Sequence, residues 1–187
     1  PKRKDCPYPY KELPGCGIGF KFMQAFVQNN SLKIDPFDFL DLVAVSIASD
    51  IVPITGENRI LAFAGLKKLN SNPRPGLKAL MKLAGIRKNM SITGVVFGLA
   101  PRINAAGRIS HAKMAVNLLL ADSEDEAYHF AAKLNIKNNK RRDVDAEITN
   151  QALAMIAENE NASASKTTVL FKEDWHKGVI GIVASRC

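Results

Sequence analysis

The stretch SEDEAYHFAAKLNIKNNKRRDVDAEITNQALAMIAE, from Ser123 to Glu158, decides how the rest of the chain is arranged. It opens with Ser123-Glu124-Asp125-Glu126, a serine followed three residues later by glutamate. In that pattern side chain and backbone cap each other at a helix start. No proline or glycine interrupts the remainder of the stretch, so the sequence predicts one helix to about Glu158, on the order of 50 Å long at 1.5 Å per residue. Its ends are apolar and its middle, Asn135 to Asp145, is polar. A helix of this kind buries each end in a different body and joins two domains.

Upstream, the pattern is helical with sharp breaks. Gly15-Cys16-Gly17-Ile18-Gly19 leads into a helix over Phe20 to Val27. These glycines match neither the Walker A nor the dinucleotide pattern, which leaves close packing or phosphate cradling as their role. Phe20, Phe22 and Phe26 are expected in its core. Asp35-Pro36 starts a helix from Phe37 to about Ser49, by a capping carboxylate and a proline at the first helical position. Helices over Thr55–Leu69, Leu77–Ala84 and Ser91–Phe97 are separated by Asn72-Pro73-Arg74-Pro75-Gly76 and Gly85-Ile86-Arg87-Lys88. Pro101 to Arg108 reads as a loop, and the chain is helical again from His111. Downstream, Asn159 to Ser165 reads as a linker and Thr167-Thr168-Val169-Leu170-Phe171 as a buried β-strand. A helix over Val179 to Arg186 closes the chain. One strand and part of a helix cannot bury a sheet face, so the sequence is expected to stop inside its second domain. An unpaired apolar strand also invites pairing with another copy, and a tendency to dimerise is expected.

Composition narrows the classes. With 47% hydrophobic and 24% charged residues, the 187-residue chain has the make-up of a folded soluble protein. No apolar run nears the ~20 residues that span a bilayer. Three cysteines without CxxC spacing and three histidines give no zinc pattern. Reduced thiols point to the cytoplasm, and any metal would be a hard ion held by carboxylates. The net charge of +8 favours an anionic partner such as nucleic acid, while 7% aromatic content advertises no broad base-stacking surface.

Particular residues then stand out. Pro101-Arg102-Ile103-Asn104-Ala105-Ala106-Gly107-Arg108 sets two arginines among small side chains. Guanidinium forks suit phosphate oxygens and small residues let a backbone approach a ligand. The other role for either arginine is to brace the segment through backbone carbonyls. Asp50 follows an apolar helix, where a carboxylate opposes the helix dipole and calls for a cation. It otherwise accepts hydrogen bonds in the turn. Asn138, Arg141 and Arg142 share one face of one turn. They contact backbone phosphates, or form a solvated patch in which Arg141 pairs with Asp145. Trp175 is either a core cap or a base-stacking ring.

Taken in order, Gly15 to Lys21, Asp41-Leu42-Val43-Ala44 through Ser49-Asp50-Ile51-Val52-Pro53, Gly56-Glu57-Asn58-Arg59, Pro101 to Arg108, and Trp175-His176-Lys177-Gly178-Val179-Ile180-Gly181-Ile182-Val183-Ala184-Ser185-Arg186 resemble the RecJ family. These are single-strand-specific 5′→3′ exonucleases of the DHH phosphoesterase superfamily. The resemblance covers nearly the whole chain. It implies a mainly α segment of a protein that is α/β when intact. Residues 1–121 would be the helical C-terminal part of a DHH domain, 122–160 the connecting helix, and 161–187 the first strand and helix of a DHH-associated domain. Two manganese or magnesium ions and single-stranded DNA are implied as cofactor and partner, with DNA threading between the domains. Asp50 corresponds to a catalytic metal ligand, Arg102 and Arg108 to phosphate contacts with Asn104 orienting their segment, and Asn138, Arg141, Arg142 and His176 to DNA contacts. The family's Asp-x-Asp and Asp-His-His motifs are absent, so this chain alone is expected to be inactive. Two other functions fit the same residues: hydrolysis of cyclic dinucleotides or short oligonucleotides, and nucleic-acid binding without cleavage.

Overall fold

The computed structural model describes residues 1–86, 89–109, 112–158 and 166–187. Helix α1 (Gly15–Asn29) packs by Phe20 against α2 (Leu40–Ser49) and α3 (Gly56–Ser71), through Leu40, Val43, Ile47, Leu61 and Ala62. The expected helix start is present, since Asp35 Oδ1 accepts from Phe37 N–H at 2.9 Å. The first turn, Pro36–Phe39, is a 3-10 turn. Helices α2 and α3 touch at Gly65, where an added Cβ would lie 2.2 Å from the Leu40 carbonyl oxygen. Of the three phenylalanines expected in the core only Phe20 is buried. Phe22 and Phe26 stack on each other at the surface, because the described residues put no apolar surface against that face of α1.

A second core joins α4 (Pro75–Leu83), α6 (Ala100–Ile109), α7 (Lys113–Leu120) and the first half of α8 (Glu124–Ala157), whereas Ile92 of the short α5 (Ile92–Gly94) packs on the first core. A π-helical turn, Val95–Leu99, runs from α5 into α6. The expected loop from Pro101 to Arg108 is therefore helix. Its small residues serve helix packing: Ala105 and Ala106 are fully buried in the wall that α6 makes with α8. Pro101 has no N–H to donate, and the π-helical turn immediately before it is where the continuous helix accommodates that loss. Arg74, in the segment expected only to break the chain, ties the two cores together. It makes a bidentate pair with fully buried Asp41, with Nη2 and Nε donating at 2.7 and 2.9 Å.

Helix α8 begins and ends close to where the sequence puts it. Ser123 Oγ accepts from Glu126 N–H at 3.2 Å, and the helix runs unbroken to Ala157, about 51 Å. Ala127, Ala131 and Leu134 enter the second core, whereas Ile148 and Ala152 form a third with Val179 and Val183 of the α9 segment (Ile180–Ala184). Trp175 packs on this third core and donates its indole N–H to Gln151 at 2.8 Å, as a core cap. The expected strand over Thr167–Phe171 does not form. The described residues hold no ladder partner for it, and Val169 and Phe171 stand exposed. The expected helix start at His111 and the expected linker over Asn159 to Ser165 lie outside the described residues, as do Arg87 and Lys88 of the expected break. No helix among the described residues is long and apolar enough to cross a membrane.

Candidate nucleic-acid interface

The polar waist of α8 faces α6 on one side and the α9 segment on the other. Arg102, in the first turn of α6, reaches α8: its Nε donates to Asn135 Oδ1 at 2.9 Å and its Nη1 to the Gly98 carbonyl at 2.6 Å. Arg108, in the last turn of α6, donates Nη1 to the Gly178 carbonyl at 3.1 Å. That approach needs a glycine, because a Cβ on residue 178 would lie 2.4 Å from the Arg108 carbonyl oxygen. His176 stands exposed beside it, its Nδ1 accepting from Gly178 N–H at 3.1 Å. The Nε2 side of the ring is left to solvent, as a donor in this tautomer.

On α8, Asp145 is buried and pairs with Arg186 at 3.0 Å and Arg141 at 3.8 Å. The expected Arg141–Asp145 pair is thus present, but Asp145 is shared with an arginine from the end of the chain. The cations crowd one another. Burial lowers the pKa of Arg141, and the charges of Arg108, Arg142 and Arg186 act in the same direction against the opposing pull of Asp145. Burial, then the charge of Arg142, lowers that of Arg102. Five guanidiniums from three elements therefore share one region with one paired carboxylate. Asn138 Oδ1, Arg141 Nε and Asp145 Oδ1 are buried without a hydrogen-bond partner. Buried polar atoms of that kind call for a ligand or water.

So the structure brings together Arg102, Arg108, Asn138, Arg141, Arg142 and His176. Asn104 stands exposed on α6 without a hydrogen bond to a described residue, and the segment it was expected to orient is helical. Asp50 lies elsewhere. It makes no hydrogen bond or ion pair with these arginines, and its charge acts on Cys16 near the start of α1. Its carboxylate is exposed and accepts from Ser46 Oγ at 3.0 Å, and its carbonyl accepts from Val52 N–H at 2.9 Å. Ser46 Oγ is the donor that the described residues give this carboxylate. As a metal ligand Asp50 offers one free carboxylate oxygen. Among the described residues no group of three or more His, Cys, Asp or Glu gathers to hold an ion. These residues do not make a metal site by themselves. Sequence reasoning missed Asn135 and Asp145 as site residues and quoted Arg186 without a role, because each gains its meaning from a partner distant in sequence.

Arginines from α6, from α8 and from the end of the chain thus gather at the polar waist of one long helix in an otherwise helical fold. No family model matches the chain. It is 38% identical over its full length to the single-stranded-DNA-specific exonuclease RecJ of Bacillus subtilis, and 33% identical to that of Escherichia coli. The chain spans 23% and 35% of those two proteins. A solved structure of exonuclease RecJ bound to manganese superposes on 96% of the chain with a TM-score of 0.83 at 32% identity, 45% of that chain being covered. The structure of Thermus thermophilus RecJ in complex with Mg2+ gives 0.85 at 31% identity over 96% of the chain and 28% of its own. The chain belongs to the RecJ family, as a segment of about a quarter to a third of its curated members' length.

Proposed function

We propose that this chain forms a phosphate-gripping segment of a single-strand-specific DNA exonuclease, with the surface where α6, α8 and the α9 segment meet taking the sugar–phosphate backbone. The observation that carries this reading is the convergence of Arg102, Arg108, Arg141, Arg142 and Arg186 around Asn138 and Asp145. Forked donors of this density suit a run of phosphates. Residues 1–121 and 161–187 would be the two bodies and 122–160 their connector. On this surface, Arg102 and Arg108 bind phosphate from the α6 side, Arg141, Arg142 and Asn138 from the connector, and the Nε2 side of His176 adds a donor at the rim. Asn104 extends the α6 face.

A divalent ion, manganese or magnesium as in the structural neighbours, would activate water and neutralise phosphate charge when bound. Asp50 would supply one ligand, and the remaining ligands would come from outside these residues. The chain on its own is then a binding segment without hydrolytic activity. A cytoplasmic setting belongs to the same reading and rests on three free thiols. Self-association through the exposed Thr167–Phe171 segment also belongs to it, and light scattering showing a monomer at every concentration would remove that part.

The test is fluorescence anisotropy with a single-stranded oligonucleotide and the duplex of the same sequence. The single strand is expected to bind more tightly, and Arg108→Ala or Arg186→Ala to weaken it. Preference for duplex, or indifference to both substitutions, would overturn the reading. In a full-length protein carrying this segment, Asp50→Ala should abolish manganese-dependent degradation and leave strand binding intact.

A further inference from the structure

The guanidinium of Arg102 is not free to meet an anion from any direction. It has two edges that can grip an anion with paired N–H groups, one formed by Nε with a neighbouring Nη and one by the two Nη atoms. Asn135 Oδ1 occupies Nε at 2.9 Å, and the Gly98 carbonyl occupies one Nη1 proton at 2.6 Å. Among the described residues Nη2 has no acceptor, so the edge left available is the Nη1/Nη2 end. Arg102 also sits half-buried beside a like charge. Burial and Arg142 both disfavour its charged form, and the carbonyl dipole of Asn135 lies where it offsets them. Asn135 is one helical turn from buried Asn138 and two turns from Arg142, on the face of α8 that Arg102 reaches.

We infer that Asn135 is a positioning residue for phosphate recognition: its side-chain carbonyl fixes Arg102 so that the Nη1/Nη2 edge, rather than the Nε edge, meets a phosphate of the bound strand. This rests on the phosphate-binding reading of the α6–α8–α9 surface. Asn135 carries no charge and need not touch DNA. Without it, the Nε proton loses its acceptor and competes for the ligand, and the side chain can turn away from the backbone's path.

The experiment compares the unsubstituted chain, Asn135→Ala, Arg102→Ala and the double variant, using a 5′-phosphorylated single-stranded oligonucleotide and anisotropy over a range of salt. A charge-assisted hydrogen bond of this type governs roughly tenfold in affinity, so Asn135→Ala should weaken binding by up to about tenfold. The double variant should be no weaker than Arg102→Ala, because both changes remove one function. The decisive readout is the salt slope. Each phosphate contact on a single strand contributes about 0.7 to it, and Asn135→Ala should lower the slope by about that amount although no charge has been removed. A purely structural asparagine would leave the slope unchanged and its effect would multiply with that of Arg102→Ala; either result overturns the inference. If the alanine variant melts below the assay temperature by circular dichroism, Asn135→Ser is read in the same way. No effect of Arg102→Ala would instead overturn Arg102's part in that reading, and this inference with it.

Discussion

Replacing Arg74 with methionine would strand a carboxylate in the middle of the chain's first half. Asp41 is fully buried, and its two oxygens accept from Arg74 Nη2 at 2.7 Å and Nε at 2.9 Å. The arginine also lies over the Phe39 ring, 5.9 Å from its centre. Removing one partner of a buried pair costs about 3–5 kcal/mol, mostly because the other charge stays behind unpaired. Unfolding 187 residues releases an entropy worth about 0.4 kcal/mol per kelvin, so that loss lowers Tm by about 8–13 °C. Thermal melts followed by far-UV circular dichroism measure it. The double variant Asp41→Leu with Arg74→Met leaves no orphan charge and should recover most of the loss. An unchanged Tm for Arg74→Met, or a double variant as unstable as the single one, would refute the reasoning.

Other expectations test separate parts of the structure. Burial, followed by the Glu57 carboxylate to which its hydroxyl donates at 2.8 Å, pushes the Tyr8 pKa up to about 12. A folded-state pKa above the unfolded value near 10 means that this contribution is intact below pH 10 and lost between about pH 10 and 12. Ultraviolet titration should show a late component that Tyr8→Phe removes, and a late component that survives this substitution, or none in the unsubstituted chain, would contradict this. Burial first, and the charge of Asp50 second, raise the Cys16 thiol. Asp50→Asn should therefore speed alkylation of Cys16 below its pKa, as read by mass spectrometry, and an unchanged rate would show that Asp50 is not beside it. Gly178→Ala drives a Cβ to 2.4 Å from the Arg108 carbonyl oxygen, costing about 1–3 kcal/mol. Faster hydrogen exchange in the Lys172–Cys187 segment should reveal the separation, and unchanged protection would argue against the contact.

Legibility followed the range of the interactions. The Ser123 cap and the uninterrupted run to Ala157 are local features, and both appear where the sequence puts them. The two apolar ends of that run enter separate cores on either side of its polar waist. The Pro101–Arg108 segment misled because small residues serve close ligand approach and close helix packing alike. Full burial of Ala105 and Ala106, the latter in one core with Ala127, Ala131 and Leu134 of α8, decides for packing, and only the tertiary structure supplies α8's position. At about 100° per residue Phe22 and Phe26 lie roughly 200° and 240° round α1 from Phe20, so the same helical period that buries Phe20 turns the other two to the surface. The segment Thr167–Phe171 has the composition of a strand, and the described residues offer it no partner to pair with. Arg74 looked like punctuation between two prolines because Asp41, 33 residues away, gives it its role. Arg186 likewise acquires one only through Asp145.

The central claim is that the α6–α8–α9 arginines meet phosphates, and the salt dependence of strand binding tests it most directly. Anisotropy titrations of a single-stranded oligonucleotide should give a steep negative slope of log affinity against log salt. Arg108→Ala together with Arg186→Ala should reduce that slope by about 1.4, two contacts at about 0.7 each. A double variant that binds as tightly as the unsubstituted chain, with the same slope, would contradict the account and remove these arginines as the site of phosphate binding.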